Sequence, residues 1–256
     1  MPVLDLDLDL EKIPPVRARI GLIVPSSNRI TEPQMRRYAP AGVEVHVTRL
    51  RMTGASHVPL ADLVPHVVEA VRALDDARCG VVVFHCTASS MEAGLAGERQ
   101  VLDAMRTATE QPVATTASAV QEALRALGAR RIVLISPYAR ATHQHELEFL
   151  AEAGIEVVGD RALELPGSDE YITVTPADWL RLGVEEMEPS ADALFLSCTN
   201  IHSLPAIPAL EERLGKPVVT SNQAVLWYAL RTRGLEDVVP ELGALGRREL
   251  PTPALA

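Results

Sequence analysis

Two stretches decide the fold: VVVFHCTASS at residues 81–90 and ALFLSCTN at residues 193–200. Each is a short apolar run that ends in Cys-Thr and passes into a helix-like segment. Runs of this length bounded by polar residues read as strands covered on both faces. Their cysteines, Cys86 and Cys198, lie 112 positions apart (198 − 86 = 112). The same offset relates Arg19-Ile20 to Arg131-Ile132, Pro25 to Pro137, and Gly42-Val43-Glu44-Val45 to Gly154-Ile155-Glu156-Val157. One αβ unit is used twice, and each copy carries a cysteine at a strand end.

Outward from these stretches the pattern alternates. Strands are predicted at 20–24, 43–47, 81–84 and 112–115, then again at 132–135, 155–158, 194–196 and 217–220. Helices are predicted at 31–38, 60–74, 91–105, 119–127, 142–153, 176–187, 204–214 and 223–232. Thr31 is cap-like with Pro33 early in its helix, and Gly128, Gly154 and Gly215 stand at helix ends. Residues 166–171 read as a polar loop. Strands alternating with helices imply an α/β fold of two pseudo-symmetric lobes, each a parallel sheet flanked by helices. The expected division is a leader at 1–18, a first lobe at 19–117 plus 221–256, and a second at 118–220. The leader's LDLDLDL alternation is short and acidic and stops at Pro14-Pro15, so it reads as a loosely held arm.

Composition narrows the function. The chain has 256 residues, 47% hydrophobic and 23% charged, which favours a packed core over disorder. The formal charge of −10, with no dense Lys/Arg cluster, argues against nucleic acid or an anionic membrane as main partner. No apolar run approaches the ~18 residues of a membrane span. The N-terminus has neither a basic n-region nor an apolar h-region, so no secretory signal is expected. Three cysteines, an odd number, do not make a disulfide framework, and a reduced cytoplasmic setting is expected.

In parallel sheets ligands bind beyond the carboxyl ends of the strands. Asn28, Cys86, Tyr138 and Cys198 all follow strand ends, so two facing lobes would gather them in one cleft. A cysteine between strand and helix sits near unpaired backbone N–H groups, which are expected to lower its pKa and to hold a carboxylate. A thiol from each lobe could move a proton on and off a carbon, or one could add to an activated double bond while the other handles the proton. Neither route needs a metal or an organic cofactor. Cys79, before its strand and without a repeat partner, reads as a core residue. His85 reads as packed or hydrogen-bonded rather than as a base. A zinc site is not expected, because neighbouring His and Cys on an extended segment point opposite ways and no C-x-x-C or H-x-x-x-H spacing occurs. Gly-x-Gly-x-x-Gly and the P-loop are missing, and Ser89, Ser90 and Ser203 lack a nucleophile-elbow context.

The combination of Gly21-Leu22-Ile23-Val24-Pro25-Ser26-Ser27-Asn28 with Glu32, Cys86-Thr87, Ser136-Pro137-Tyr138 and Ser197-Cys198-Thr199-Asn200 resembles the maleate cis-trans isomerase family. That family lies in the aspartate/glutamate racemase superfamily and is related to arylmalonate decarboxylases. The resemblance runs over about residues 19–233. It implies two Rossmann-like lobes, a cofactor-independent reaction and a homodimer. It further implies that Cys86 adds to the double bond and Cys198 transfers the proton. Asn28 and Tyr138 would hold carboxylate oxygens, with Ser26 nearby and the amides of Thr87, Ala88, Thr199 and Asn200 completing a site for a small carboxylic acid. One departure is the loop PGSDEY at 166–171, where Asp169 and Glu170 stand and no Asn does. Acids there are expected to repel a dianion. An arylmalonate-type decarboxylase, which would need only Cys198, and an amino-acid or hydantoin racemase are the alternatives.

Overall fold

The computed structural model describes residues 15–52 and 58–251. Of the leader, only 15–18 falls within them, and its last residue already belongs to the first strand. The order of elements is β1 (Ala18–Pro25), α1 (Thr31–Tyr38), β2 (Val43–Leu50), α2 (Leu60–Asp76), β3 (Val81–Phe84), α3 (Thr87–Met91), α4 (Gly94–Arg106), β4 (Val113–Thr115) and α5 (Thr116–Leu127). The second half runs β5 (Arg131–Ser136), α6 (Arg140–Glu152), β6 (Glu156–Ala162), α7 (Ser168–Tyr171), α8 (Pro176–Glu185), β7 (Ala193–Leu196), α9 (Ile207–Leu214), β8 (Val218–Thr220) and α10 (Ser221–Thr232). Single 3₁₀ turns lie at Leu204–Ala206, Pro240–Leu242 and Leu245–Arg247.

The strands form two four-stranded sheets with the orders β2-β1-β3-β4 and β6-β5-β7-β8. Every pairing is parallel, as the alternating pattern requires. The two orders are the same, so the repeat seen in sequence is a repeat in topology. The second copy departs from the first at a register shift between Ile132 and Val133 against β6.

Strand periodicity sends successive side chains to opposite faces. Ile20, Leu22, Val81 and Val83 join a buried cluster that continues through α5 and α10 into Ile132, Leu134 and Phe195 of the second sheet. Their neighbours Ile23, Val82 and Phe84 face Leu63, Val67 and Val71 of α2 and Val101 and Met105 of α4. Cys79 lies in this second cluster, 1% exposed, as a core cysteine should.

Three expected elements came out differently. The helix expected over 91–105 is broken: α3 ends at Met91, and Gly94 at φ +65° turns the chain into α4. A Cβ on Gly94 would lie 2.7 Å from Glu152 Oε2, the carboxylate that accepts the Leu95 N–H at the start of α4. The polar loop at 166–171 contains one helical turn, α7. Thr31 does not cap α1. Asn28 Oδ1 accepts the N–H groups of Ile30 (3.1 Å) and Thr31 (2.9 Å), while the Thr31 hydroxyl reaches across to the second lobe.

Among the described residues no helix is long and apolar enough to cross a membrane.

Candidate active site

The carboxyl ends of the two sheets face each other, and the contacts there tie one lobe to the other. Asn28, just past β1, is 2% exposed and donates from Nδ2 to Thr199 Oγ1 at 3.0 Å. The Arg29 N–H donates to Asn200 Oδ1 at 2.8 Å, and Thr31 Oγ1 donates to the Thr199 carbonyl at 3.2 Å. Thr87, next to Cys86, donates from Oγ1 to Ser221 Oγ at 2.9 Å, and that same oxygen accepts the Cys198 N–H at 3.1 Å. The residues flanking the two cysteines are therefore joined through a single hydroxyl at the start of α10.

Cys86 is the residue before α3 and is 8% exposed; Cys198 follows β7 and is 4% exposed. The Cys86 thiol donates to Ser89 Oγ at 3.3 Å, one helical turn on. Cys198 adopts φ +137°, a region L-residues rarely occupy. In that conformation its sulfur accepts the Asn200 N–H at 3.3 Å. Backbone strain of this kind is retained where the surroundings over-determine it, commonly at reactive centres. The Tyr138 hydroxyl also hydrogen-bonds the Cys198 sulfur, and burial keeps that phenol protonated as a donor.

Neither thiol is acidic, against the expectation of lowered values. Burial pushes Cys198 up to about 12, opposed only partly by the Tyr138 hydroxyl and the Asn200 N–H. Burial also raises Cys86, opposed by Ser89. The physical reason is that α3 has only five residues and so offers little dipole, while the other charges acting on the thiols are acids. The two thiols also act on each other. Negative charge on Cys86 is one of the causes that hold the Cys198 proton in place.

The remaining sequence-read residues divide. Thr199 and Asn200 are buried and bound to Asn28 and Arg29, and Ala88 packs against the cluster shared by both sheets. Ser26 faces the end of β2 instead of the thiols: its Oγ lies 3.3 Å from the Met52 carbonyl and accepts the Met52 N–H at 3.2 Å. His85 is fully buried between Thr116 Oγ1 (3.0 Å) and Asn222 Oδ1 (2.8 Å). Burial lowers it to about 4, so it is a neutral structural imidazole.

Loop 166–171 turns Asp169 outward. Asp169 is 84% exposed and pairs with Arg29 at 2.5 Å. Ser168 donates to Ser27 Oγ at 3.0 Å and accepts Asn200 Nδ2 at its carbonyl, 3.3 Å away. What the loop turns inward is Tyr171, whose ring meets that of Tyr138 edge-to-face at 5.7 Å. Tyr171 feels both thiols, and burial keeps it protonated.

Sequence reasoning missed Tyr171, Ser89, Ser221, Asn222 and Glu146. Ser221 and Asn222 had a usable signal, since they follow strand β8 as Cys86 follows β3. Glu146 had none, being one acid among many on a polar helix. A surface hollow of about 630 Å³ lies elsewhere, lined by Leu95, Arg99, Asp103 and Glu152 on α4 and α6.

Residues 20–245 match the family model described as arylmalonate decarboxylase. The chain belongs to that family. Its relatives include a maleate isomerase of Pseudomonas putida, 32% identical over 89% of this chain and 96% of that one. An arylmalonate decarboxylase of Bordetella bronchiseptica is 36% identical over 67% of this chain and 72% of that one. A cysteine-to-alanine variant of a Pseudomonas putida S16 maleate isomerase, solved with maleate, superposes with a TM-score of 0.85 at 28% identity, covering 90% of this chain and 97% of that one. A cysteine-to-serine variant of the Nocardia farcinica maleate cis-trans isomerase, with a covalently bound succinylcysteine intermediate, gives 0.82 at 30% identity, covering 90% and 98%. A structure of unliganded arylmalonate decarboxylase also covers 90% of this chain, with a TM-score of 0.81 at 32% identity. The maleate isomerase relatives and structures support an isomerase.

Proposed function

We propose that the enzyme interconverts the cis and trans forms of a small unsaturated dicarboxylic acid of the maleate type, with Cys86 as nucleophile and Cys198 as acid and base. The observation that carries the reading is the pair of buried thiols tied across the two lobes, where Ser221 Oγ accepts from Thr87 beside Cys86 and from the Cys198 N–H. Cys198 keeps its proton most firmly when Cys86 has lost its own. That is the state the chemistry needs, because coupled groups share out their protons as a pair.

The Cys86 thiolate adds to one alkene carbon, and the displaced π pair moves to the neighbouring carbon, where its carboxylate delocalises it. Cys198 gives its proton to that carbon, which leaves a succinyl thioether on Cys86 and a thiolate on Cys198. The former double bond is now single and rotates. Cys198 takes a proton back, the C–S bond breaks, the double bond re-forms trans, and Cys86 leaves as thiolate. Protons and electrons balance over the cycle. On this reading the Tyr138 and Tyr171 hydroxyls, kept protonated by burial, and the amides of Thr87, Ala88 and Thr199 are the neutral donors to carboxylate oxygens. The outward turn of Asp169 removes one of the charges expected to repel a dianion. The succinylcysteine borne by the Nocardia farcinica relative supports the covalent step.

Proton NMR of the purified enzyme with maleate tests this. The fumarate resonance is expected with the wild type, and Cys86→Ala and Cys198→Ala are each expected to lower the rate at least ~10³-fold. Activity retained in both single variants rejects the mechanism. The arylmalonate decarboxylase reading, kept in view by the Bordetella bronchiseptica relative, makes the opposite demand: release of CO2 from arylmalonates that survives Cys86→Ala but not Cys198→Ala.

A further inference from the structure

Glu146 is a carboxyl group that the reaction above does not use. It lies on α6 with no exposed surface. Its Oε1 accepts the hydroxyl of Ser197, the residue before Cys198. Among the described residues its Oε2, also buried, has no hydrogen-bond partner. A carboxylate oxygen left bare in the interior is costly, whereas a carboxylic acid tolerates the position much better. The carboxyl is also close enough to act electrostatically on Cys86, Cys198, Tyr138 and Tyr171.

The groups facing it come from several elements. On its own helix His143 Nδ1 is 4.0 Å from Glu146 Oε2. From the end of β5 Ser136 Oγ lies 2.7 Å from the same His143 nitrogen. From β6 Asp160 Oδ2 is 3.1 Å from His143 Nε2, and Asp160, 30% exposed, also pairs with Arg140. The thiol of Cys86 stands before α3, with Glu92 after it also acting on that thiol. Cys198 follows β7, and the two tyrosines complete the set. Among the described residues no lysine or arginine pairs with Glu146. His143, held by Ser136 and Asp160, stands beside its unpartnered oxygen.

We propose that Glu146 is a positioning residue that governs the charge of the two-thiol site: it must hold its own proton for Cys86 to give one up, so that one negative charge at a time occupies the closed space behind the substrate. The inference rests on the two-thiol reading above and deepens it. Burial raises the Glu146 carboxyl to about 8, opposed by the Ser197 hydroxyl. In neutral solution it is therefore mostly an acid. Ionised, it pushes both thiols further up, since like charges in a dry site oppose one another.

The test is the pH dependence of thiol alkylation in the full chain, read at each cysteine by peptide mass spectrometry with iodoacetamide from roughly pH 6 to pH 10. Glu146→Gln keeps the shape and removes the charge. It is expected to move the Cys86 curve down by about one pH unit, so that Cys86 labels about tenfold faster on the rising limb. Superposable curves for wild type and Glu146→Gln overturn the proposal. Ser197→Ala is the second variant and serves if Glu146→Gln does not fold. It removes the donor that favours the carboxylate, so the inflection belonging to Glu146 is expected at higher pH, and an unmoved curve counts against the proposal. Labelling needs no substrate. A shifted curve in an enzyme that leaves maleate untouched rejects the substrate reading alone, and superposable curves in an enzyme that makes fumarate reject the role of Glu146 alone.

Discussion

Among the described residues neither His85 nor Glu146, both buried, pairs with a lysine or arginine, and burial drives each to its neutral form with opposite consequences for stability. His85 falls from an ordinary value of 6.5 to about 4. The unfolded chain therefore takes up a proton there that the folded chain refuses. Its contribution is fully present above about pH 6.5 and is lost as pH falls toward 4, at most about 3 kcal/mol. Glu146 rises from 4.5 to about 8, so its contribution is complete below about pH 4.5 and is lost as pH rises through 8. His85→Gln retains an amide that can meet Thr116 and Asn222 but cannot titrate. Urea midpoints measured near pH 7 and near pH 4.5 are expected to differ less for this variant than for wild type. An equal acid sensitivity in both would show that His85 titrates freely and that its buried hydrogen bonds are misassigned. The sequence carried His85 as packed rather than basic because it lies inside a strand-end run covered on both faces. It did not carry the raised thiols, because desolvation depends on how tightly the two lobes close, and residue spacing holds no record of that.

At the scale of elements, α5 and α10 position the site, and both begin the same way. Each is opened by a capping box at the strand end: Thr115 with Ser118, and Thr220 with Gln223. In α10, Thr220 Oγ1 accepts the Gln223 N–H at 3.2 Å and Gln223 Oε1 accepts the Thr220 N–H at 2.9 Å. The first turn fixed in this way supplies Ser221, which holds the Cys198 N–H and the Thr87 hydroxyl, and Asn222, which holds His85. Thr220→Ala is expected to cost about 1 kcal/mol in urea unfolding. It is also expected to lower kcat more than it raises KM, because Ser221 orients the cysteine backbones and touches no substrate. A purely local cap would show the stability loss with kcat unchanged. The strands expected at 81–84 and 194–196 were readable as continuous apolar runs, and the helix at 60–74 from its apolar stripe. The single turn α7 was not, because Ser168 and Asp169 are held by Ser27 and Arg29 of the other lobe, and no local signal announces a contact 140 residues away (169 − 29 = 140).

At the scale of the whole molecule the duplication gave the sheet order twice, but it did not give the way the copies lock together. The offset is 112 between Cys86 and Cys198, yet it is 105 between the starts of α5 and α10 (221 − 116 = 105). The last αβ unit of each half is thus shifted relative to the rest. Those two helices pack on each other between the sheets, and the cluster that includes Ala117, Val120 and Leu124 of α5 and Val225, Leu226 and Leu230 of α10 reaches both sets of strands. A core shared in this way makes one face of each sheet depend on the other half for its cover, so the halves are expected to unfold together. The chain contains its own reporters. Both tryptophans, Trp179 on α8 and Trp227 on α10, lie in the second half and are fully buried, whereas helices and strands of both halves contribute to far-ultraviolet circular dichroism. Urea curves followed by tryptophan fluorescence and by circular dichroism are expected to superpose with one midpoint. If the dichroism curve shows a second transition that the fluorescence lacks, the first sheet has a stability of its own, and the link from Thr87 through Ser221 to Cys198 joins two independent bodies instead of running through one.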